Sequence, residues 1–180
     1  ANILDNAHTI YGEVDMQVME AIRKRRSIRQ YESRELPVDD LELLLEAARL
    51  APSGANRQPW EMVVVTDPHR IRELVPLCKN QAFLENCNLF IAGVDDPQQK
   101  WAKVDLIIAL DHISLAAQEL GLGTCWIGAF DQERLAEFLG VPKGKVVTVC
   151  MAVGYPQETP QARSRKPMEE LFHYNRYRKH

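Results

Sequence analysis

The segment KWAKVDLIIALDHISLAAQELG (100–121) restricts this chain more than any other. Its spacing predicts a helix over 101–120, ending at Gly121, and apolar side chains fall on more than one of its sides. A helix that is apolar around much of its circumference cannot lie on a surface with one face in water. It must be buried on two fronts, against the core of its own chain and against a second subunit.

Four short runs around it have the β-branched and apolar character of strands: EMVVVT (61–66), NLFIAGV (88–94), GTCWIGAF (123–130) and KVVTVCMAVGYP (145–156). Helical spacing marks the segments between them. Met16, Met19 and Ile22 define a helix that begins near Asp15 and runs toward a group of arginines. Asp39, three residues before Glu42, reads as an Asp form of the capping box, ahead of LELLLEAARLA with Leu41, Leu44, Leu45 and Ala48 on one face. Pro52 stops that helix. Asp67-Pro68 reads as a cap and first helical residue, and Asp131 opens another helix closed at Gly140-Val141-Pro142.

At 180 residues, 46% hydrophobic and 26% charged, the chain fits one globular domain over 1–180. Residues 156–180 form a polar tail with too little apolar surface to pack alone, so it either wraps a partner or frays. The N-terminal stretch has no apolar signal region and no run reaches membrane-spanning length. Cys78, Cys87, Cys125 and Cys150 are too far apart for CxxC metal or redox chemistry. A reducing, cytoplasmic setting without membrane attachment is the expectation.

Within AIRKRRSIRQY, five cations crowd together in a chain of net charge -3: Arg23, Lys24, Arg25, Arg26 and Arg29. Such a cluster repels itself unless water or an anion neutralises it. A nucleic-acid patch fits poorly, because 22 basic residues are outnumbered by 25 acidic ones and no cationic field exists. That leaves a solvated helix end or an anion site in which Arg25, Arg26 and Arg29 surround the Ser27 hydroxyl.

Three further segments can carry chemistry. APSGANRQPW (51–60) is a turn whose amides and small side chains allow close approach to a ligand, or else a plain helix-to-strand loop. In GLGTCWIGAF, Gly128 lies just past a strand, where a ring system can rest on bare main chain; tight packing beside Trp126 is the alternative. RSRKP (163–167) is a second basic cluster. No G-x-G-x-x-G follows the first strand, and P-loop, HExxH and G-x-S-x-G patterns are absent. His112 reads as a helix-surface or interface residue. A site without its own acid, base, nucleophile or metal is what a cofactor-driven enzyme presents.

In this order and at these distances the segments resemble the nitroreductase superfamily of FMN-dependent oxidoreductases, from RRSIRQY through APSGANRQPWEMVVV and GLGTCWIGAF to VGYP and RSRKP. The resemblance implies an α+β fold, a central and mostly antiparallel sheet flanked by helices. It also implies an intertwined homodimer with FMN at the subunit interface. Arg25, Arg26, Ser27 and Arg29 would hold the flavin from one subunit. Arg25 and Arg165, with Arg163 beside them, would take the phosphate, and Arg29 the pyrimidine edge of the ring. Pro52, Ser53, Gly54, Asn56 and Gln58 would come from the other subunit. Trp126, Ile127 and Gly128 would line the ring.

The activity so implied passes hydride from NAD(P)H through flavin N5 to a small-molecule acceptor such as a nitroaromatic or quinone, in ping-pong order. A flavin-binding sensor or storage protein is the alternative. The stretches LVPLCKNQAFLENC and VDDPQQKW are short where relatives that dehalogenate iodotyrosine or cleave their own flavin build lids. Those chemistries are not expected here.

Overall fold

The computed structural model describes residues 16–177. The expected start of the first helix near Asp15 lies outside them. Six α-helices are present among the described residues: α1 (Val18–Lys24), α2 (Val38–Arg49), α3 (Pro68–Leu77), α4 (Ala102–Glu119), α5 (Gln132–Leu139) and α6 (Met168–Leu171). Four strands, β1 (Trp60–Val65), β2 (Leu89–Asp95), β3 (Gly123–Ile127) and β4 (Val146–Gly154), form one sheet in the order β1-β2-β4-β3. Every neighbouring pair is antiparallel. The expected α+β class and antiparallel sheet are what the chain adopts.

The strands alternate their side chains between two apolar layers, as a period of two requires. From β2, Phe90, Ala92 and Val94 enter one layer with Ile71 and Leu74 of α3 and Leu135 of α5. Leu89 and Ile91 enter the other, against Leu44 of α2 and Leu106, Leu110 and Ile113 of α4. Both faces of β2 are therefore covered, and the strand is buried over its whole length. That explains why NLFIAGV shows no polar alternation.

Local chemistry fixes three helix ends where the sequence predicts them. Asp67 accepts a hydrogen bond from the backbone N–H of His69 at 2.8 Å, with Pro68 as the first helical residue. Asp131 accepts from Arg134 N–H at 3.2 Å, and Gly140 closes α5 in the left-handed region with φ 70°. The Asp39–Glu42 capping box does not form. Pro37 is the N-cap, so α2 begins at Val38 with no side-chain cap. Proline's fixed φ, here -57°, suits the entry to a helix and starts it early. Asp39 and Asp40 then lie in the first turn, where carboxylates favour the helix dipole.

The two-front reading of α4 matches its surroundings only in part. One side packs into the layer just described, while Val104 and Ile107 remain exposed. In α1, Ala21 alone is buried, so the helical stripe containing Met19 and Ile22 faces outward with Val18, which is 68% exposed. Beyond Pro156 the tail lies exposed, as do its apolar side chains Met168, Leu171, Phe172, Tyr174 and Tyr177.

Candidate functional site

Arg23 and Lys24 form the last turn of α1, but the rest of the arginine cluster lies beyond the helix. α1 stops at Lys24, and Arg25 is already extended, with φ -52° and ψ 128°. From there RSIRQY runs along the outer edge of the sheet. Ser27 bridges Thr124 of β3 in parallel fashion, Ile28 N–H donates to the Thr124 carbonyl at 2.9 Å, and Tyr31 bridges Pro156. Arg29 N–H donates to the Glu158 carboxylate at 2.5 Å. Two buried anchors hold the run: Ile28, and Tyr31, whose hydroxyl donates back to the Ile28 carbonyl at 2.8 Å. Burial in this anchor pushes the Tyr31 phenol far above its ordinary range, so it stays neutral.

The fit at Ile28 is close. A Cβ on Gly123 would stand 2.4 Å from Ile28 Cγ1, so the absence of a side chain at 123 is what lets the run reach β3. Gly128 differs. It is exposed, and a Cβ there would meet no atom within 4 Å. Tight packing beside Trp126 therefore does not account for this glycine, whereas a planar ring resting on the main chain needs the space it leaves.

The arginines carry donors with nothing to donate to. Arg26 Nη1 donates to the carbonyls of Arg23 at 2.7 Å and Arg25 at 2.8 Å, yet its Nε is buried without a partner. Arg25 Nη1 is likewise buried and unpartnered, and so is the Thr124 hydroxyl opposite Ser27. Leaving buried donors unpaired costs about 1–3 kcal/mol each, more when charged. Guanidinium nitrogens in that state fit an anion such as the phosphate of FMN.

The second half of the expected site is a compact turn on the other side of the molecule. Ser53 Oγ accepts from Gln58 N–H at 3.0 Å, and Gln58 Nε2 donates to the Asn56 carbonyl at 3.1 Å. Pro52, Ser53, Gly54, Asn56 and Gln58 thus share one short loop between α2 and β1. β1 and β3 are opposite edges of the sheet, with β2 and β4 between them. Three strand spacings of about 4.8 Å separate those edges by about 14 Å. Within one chain the fold brings Ser27 and Ile28 onto Gly123 and Thr124 of β3, the strand that also carries Trp126 and Ile127 and leads to Gly128. It leaves the 52–58 loop apart from them.

Arg163 and Arg165 join neither half. Arg165 Nη1 donates only to the neighbouring carbonyls of Arg163 and Ser164, at 3.1 and 3.2 Å. Three residues near these halves escape a sequence reading: Thr124, Glu158 and Asp105, the last with both carboxylate oxygens 3.2 Å from Gly54 N. Asp105 had a visible signal, an acid at the start of the apolar run of α4, just before LIIAL. The four cysteines are free and buried, and burial raises each thiol; Cys78 rises to about 11 and Cys87 to about 12. They are poor nucleophiles. Among the described residues there is no group of three or more metal-ligating side chains, and no helix is long and apolar enough to cross a membrane.

A model of the nitroreductase family matches residues 22–92 and 79–155, two overlapping spans that contain both halves of the candidate site apart from the tail. A relative from Archaeoglobus fulgidus, provisionally named NADH dehydrogenase/NAD(P)H nitroreductase, is 34% identical over 152 residues, covering 79% of this chain and 87% of its own. The FMN reductase (NADPH) of Bacillus subtilis is 27% identical over 88% of this chain and 74% of its own. Among solved structures, the NADPH:FMN oxidoreductase of Vibrio harveyi, complexed with NAD+, superposes with a TM-score of 0.84. It is 27% identical over 90% of this chain and 78% of its own. The chain belongs to the nitroreductase family.

Proposed function

We propose that this protein is an FMN-dependent oxidoreductase that takes electrons from NAD(P)H and delivers them to a small-molecule acceptor. The observation that carries the reading is the pair of buried, unpartnered guanidinium nitrogens on Arg25 and Arg26 in a chain of this family. They bind the phosphate, and Arg29, its backbone tied to Glu158, directs its guanidinium to the pyrimidine edge of the ring. Trp126, Ile127 and the bare main chain at Gly128 form the surface on which the ring lies. Bound there, FMN would supply hydride chemistry at N5 between NAD(P)H and a nitroaromatic or quinone acceptor, in two half-reactions.

The chain's own residues bind, orient and tune. A fixed cation beside the pyrimidine edge favours the reduced, anionic ring over the neutral oxidised one. The site is completed in a homodimer, in which Pro52, Ser53, Gly54, Asn56 and Gln58 come from the second copy and Arg163 and Arg165 arrive on its tail. The separation of the two halves across the sheet supports that assembly, as do the exposed apolar side chains of α1, α4 and the tail. The test is anaerobic titration of the FMN-loaded protein with NAD(P)H, followed by addition of a quinone. Bleaching and then recovery of the flavin absorbance is the expected result. A protein that binds FMN but is not reduced is a sensor or store, and one indifferent to FMN refutes the proposal.

A further inference from the structure

Of the three acidic residues of α4, only Asp105 is buried, at 4% exposure. No ion pair with it forms among the described residues. A carboxylate with so little access to water is costly unless polar groups hold it, and no described cation is within salt-bridge distance, although Arg57 and Lys100 line the cleft it faces. Here the hydrogen-bond donor is the backbone N–H of Gly54, 3.2 Å from both carboxylate oxygens. Asp105 forms one wall of a cleft of about 180 Å³, with Gly54, Arg57, Pro59 and Trp101 around it.

The loop that begins at Gly54 is conformationally unusual. Ala55, Asn56 and Gln58 have φ of 51°, 55° and 51°, the left-handed region that side chains other than glycine's disfavour. Three such residues in four positions persist only where the surroundings over-determine them. Most of the bonds that hold the loop lie within it, among them Ser53 Oγ with Gln58 N–H, Asn56 N–H with the Ser53 carbonyl and Gln58 Nε2 with the Asn56 carbonyl; Asp105 holds it from outside, through Gly54 N–H. Ser53 belongs to the loop and moves with it. Asp105 belongs to the first turns of the buried helix α4 and does not.

We infer that Asp105 is a positioning residue: its buried carboxylate holds the Gly54 amide and keeps Asn56 and Gln58 in the geometry they present to FMN. This rests on the proposed function for its consequence, though not for the clamp itself. A charged acceptor suits the task because its bond to an amide is stronger than a neutral one. Asparagine keeps an acceptor oxygen in the same place, whereas alanine removes it.

The experiment compares Asp105→Ala, Asp105→Asn and wild type by amide hydrogen exchange, with and without FMN, and by FMN affinity. Asp105→Ala is expected to speed exchange of residues 51–59 about ten-fold, with residues 89–95 of β2 unchanged, and to weaken FMN about ten-fold. Asp105→Asn is expected to fall between alanine and wild type on both readouts. Unchanged exchange over 51–59 overturns the clamp. Equal acceleration in β2 reduces Asp105 to a general structural residue and also overturns the inference, as does a loosened loop with unaltered FMN affinity. If wild type itself binds no FMN, the functional proposal falls, while exchange in the free protein still decides whether Asp105 holds the loop.

Discussion

Arg25→Met separates anion binding from folding, because the two effects have opposite signs. Methionine keeps an unbranched apolar stem and removes the guanidinium. In the free protein Arg25 Nη1 is buried without a partner, a state that costs about 1–3 kcal/mol. Some of that penalty is relieved by the lost charge and some returns as lost stem packing. The net expectation is unchanged or slightly raised stability, by up to about 1 kcal/mol, which is about 2–4 °C in melting temperature for a chain of this size. FMN binding moves the other way. A charge-assisted bond to phosphate contributes about 1.5–3 kcal/mol, so FMN affinity should drop roughly ten- to a hundred-fold. Riboflavin lacks the phosphate, and its affinity should change little. Calorimetric melting of the FMN-free variant and fluorescence titration with both ligands decide the matter. Equal losses for FMN and riboflavin, or an FMN-free protein destabilised by more than about 1 kcal/mol, would refute the assignment of Arg25 to a phosphate.

Arg29→Ala should lower the midpoint potential of the FMN-saturated protein, by about 30 mV for each 1.4 kcal/mol of lost preference for the reduced ring, while Arg29→Lys keeps most of it; an unshifted potential removes Arg29 from the ring. Gly123→Ala puts a carbon 2.4 Å from Ile28 Cγ1 and should destabilise the fold by about 1–3 kcal/mol. Because the clash pushes the arginine run off β3, urea midpoints and FMN affinity should fall together. The raised thiols make stability fall in alkali. The unfolded chain ionises Cys87 near its ordinary 9.0 while the fold holds it neutral to about 12, so stability is full below pH 9 and declines as pH rises toward 12. The slope is up to about 1.4 kcal/mol per pH unit for that thiol, measurable as a pH-dependent urea midpoint between 9 and 11; a flat profile would show the thiol to be solvated.

Local signals in the sequence were reliable where the cause was local. Asp67, Asp131 and Gly140 terminate helices through bonds within four residues, and each stands where its chemistry puts it. The capping box at Asp39 failed for a reason equally local, since Pro37 offered an earlier start. The strand order was not legible, because β2 pairs with β4 across more than fifty residues and nothing in either run names its partner. The same limit applied to RRSIR. Its residues left a solvated helix end and an anion site both open, and only the Ser27–Thr124 bridge and the bare Gly123 beneath Ile28 show that the run past Arg25 lies along the sheet edge and not in a frayed helix.

Several features that look unrelated then have one explanation. The arginine run occupies the β3 edge of the sheet and the 52–58 turn leads into the β1 edge, so the fold sets them on opposite sides of the sheet. Val18, Met19 and Ile22 of α1 and Val104 and Ile107 of α4 are exposed apolar side chains, and each would cost free energy in water that burial recovers. The tail adds Phe172 and Tyr174 with no core of its own. In the proposed homodimer, an isologous pairing of two copies would cover the helix faces, give the tail a surface to cross, and set the left-handed turn of one chain opposite the arginines of the other. In that arrangement the rigidity inferred for Asp105 would matter most, because a half-site delivered by a partner would retain its geometry only if its own subunit already held it.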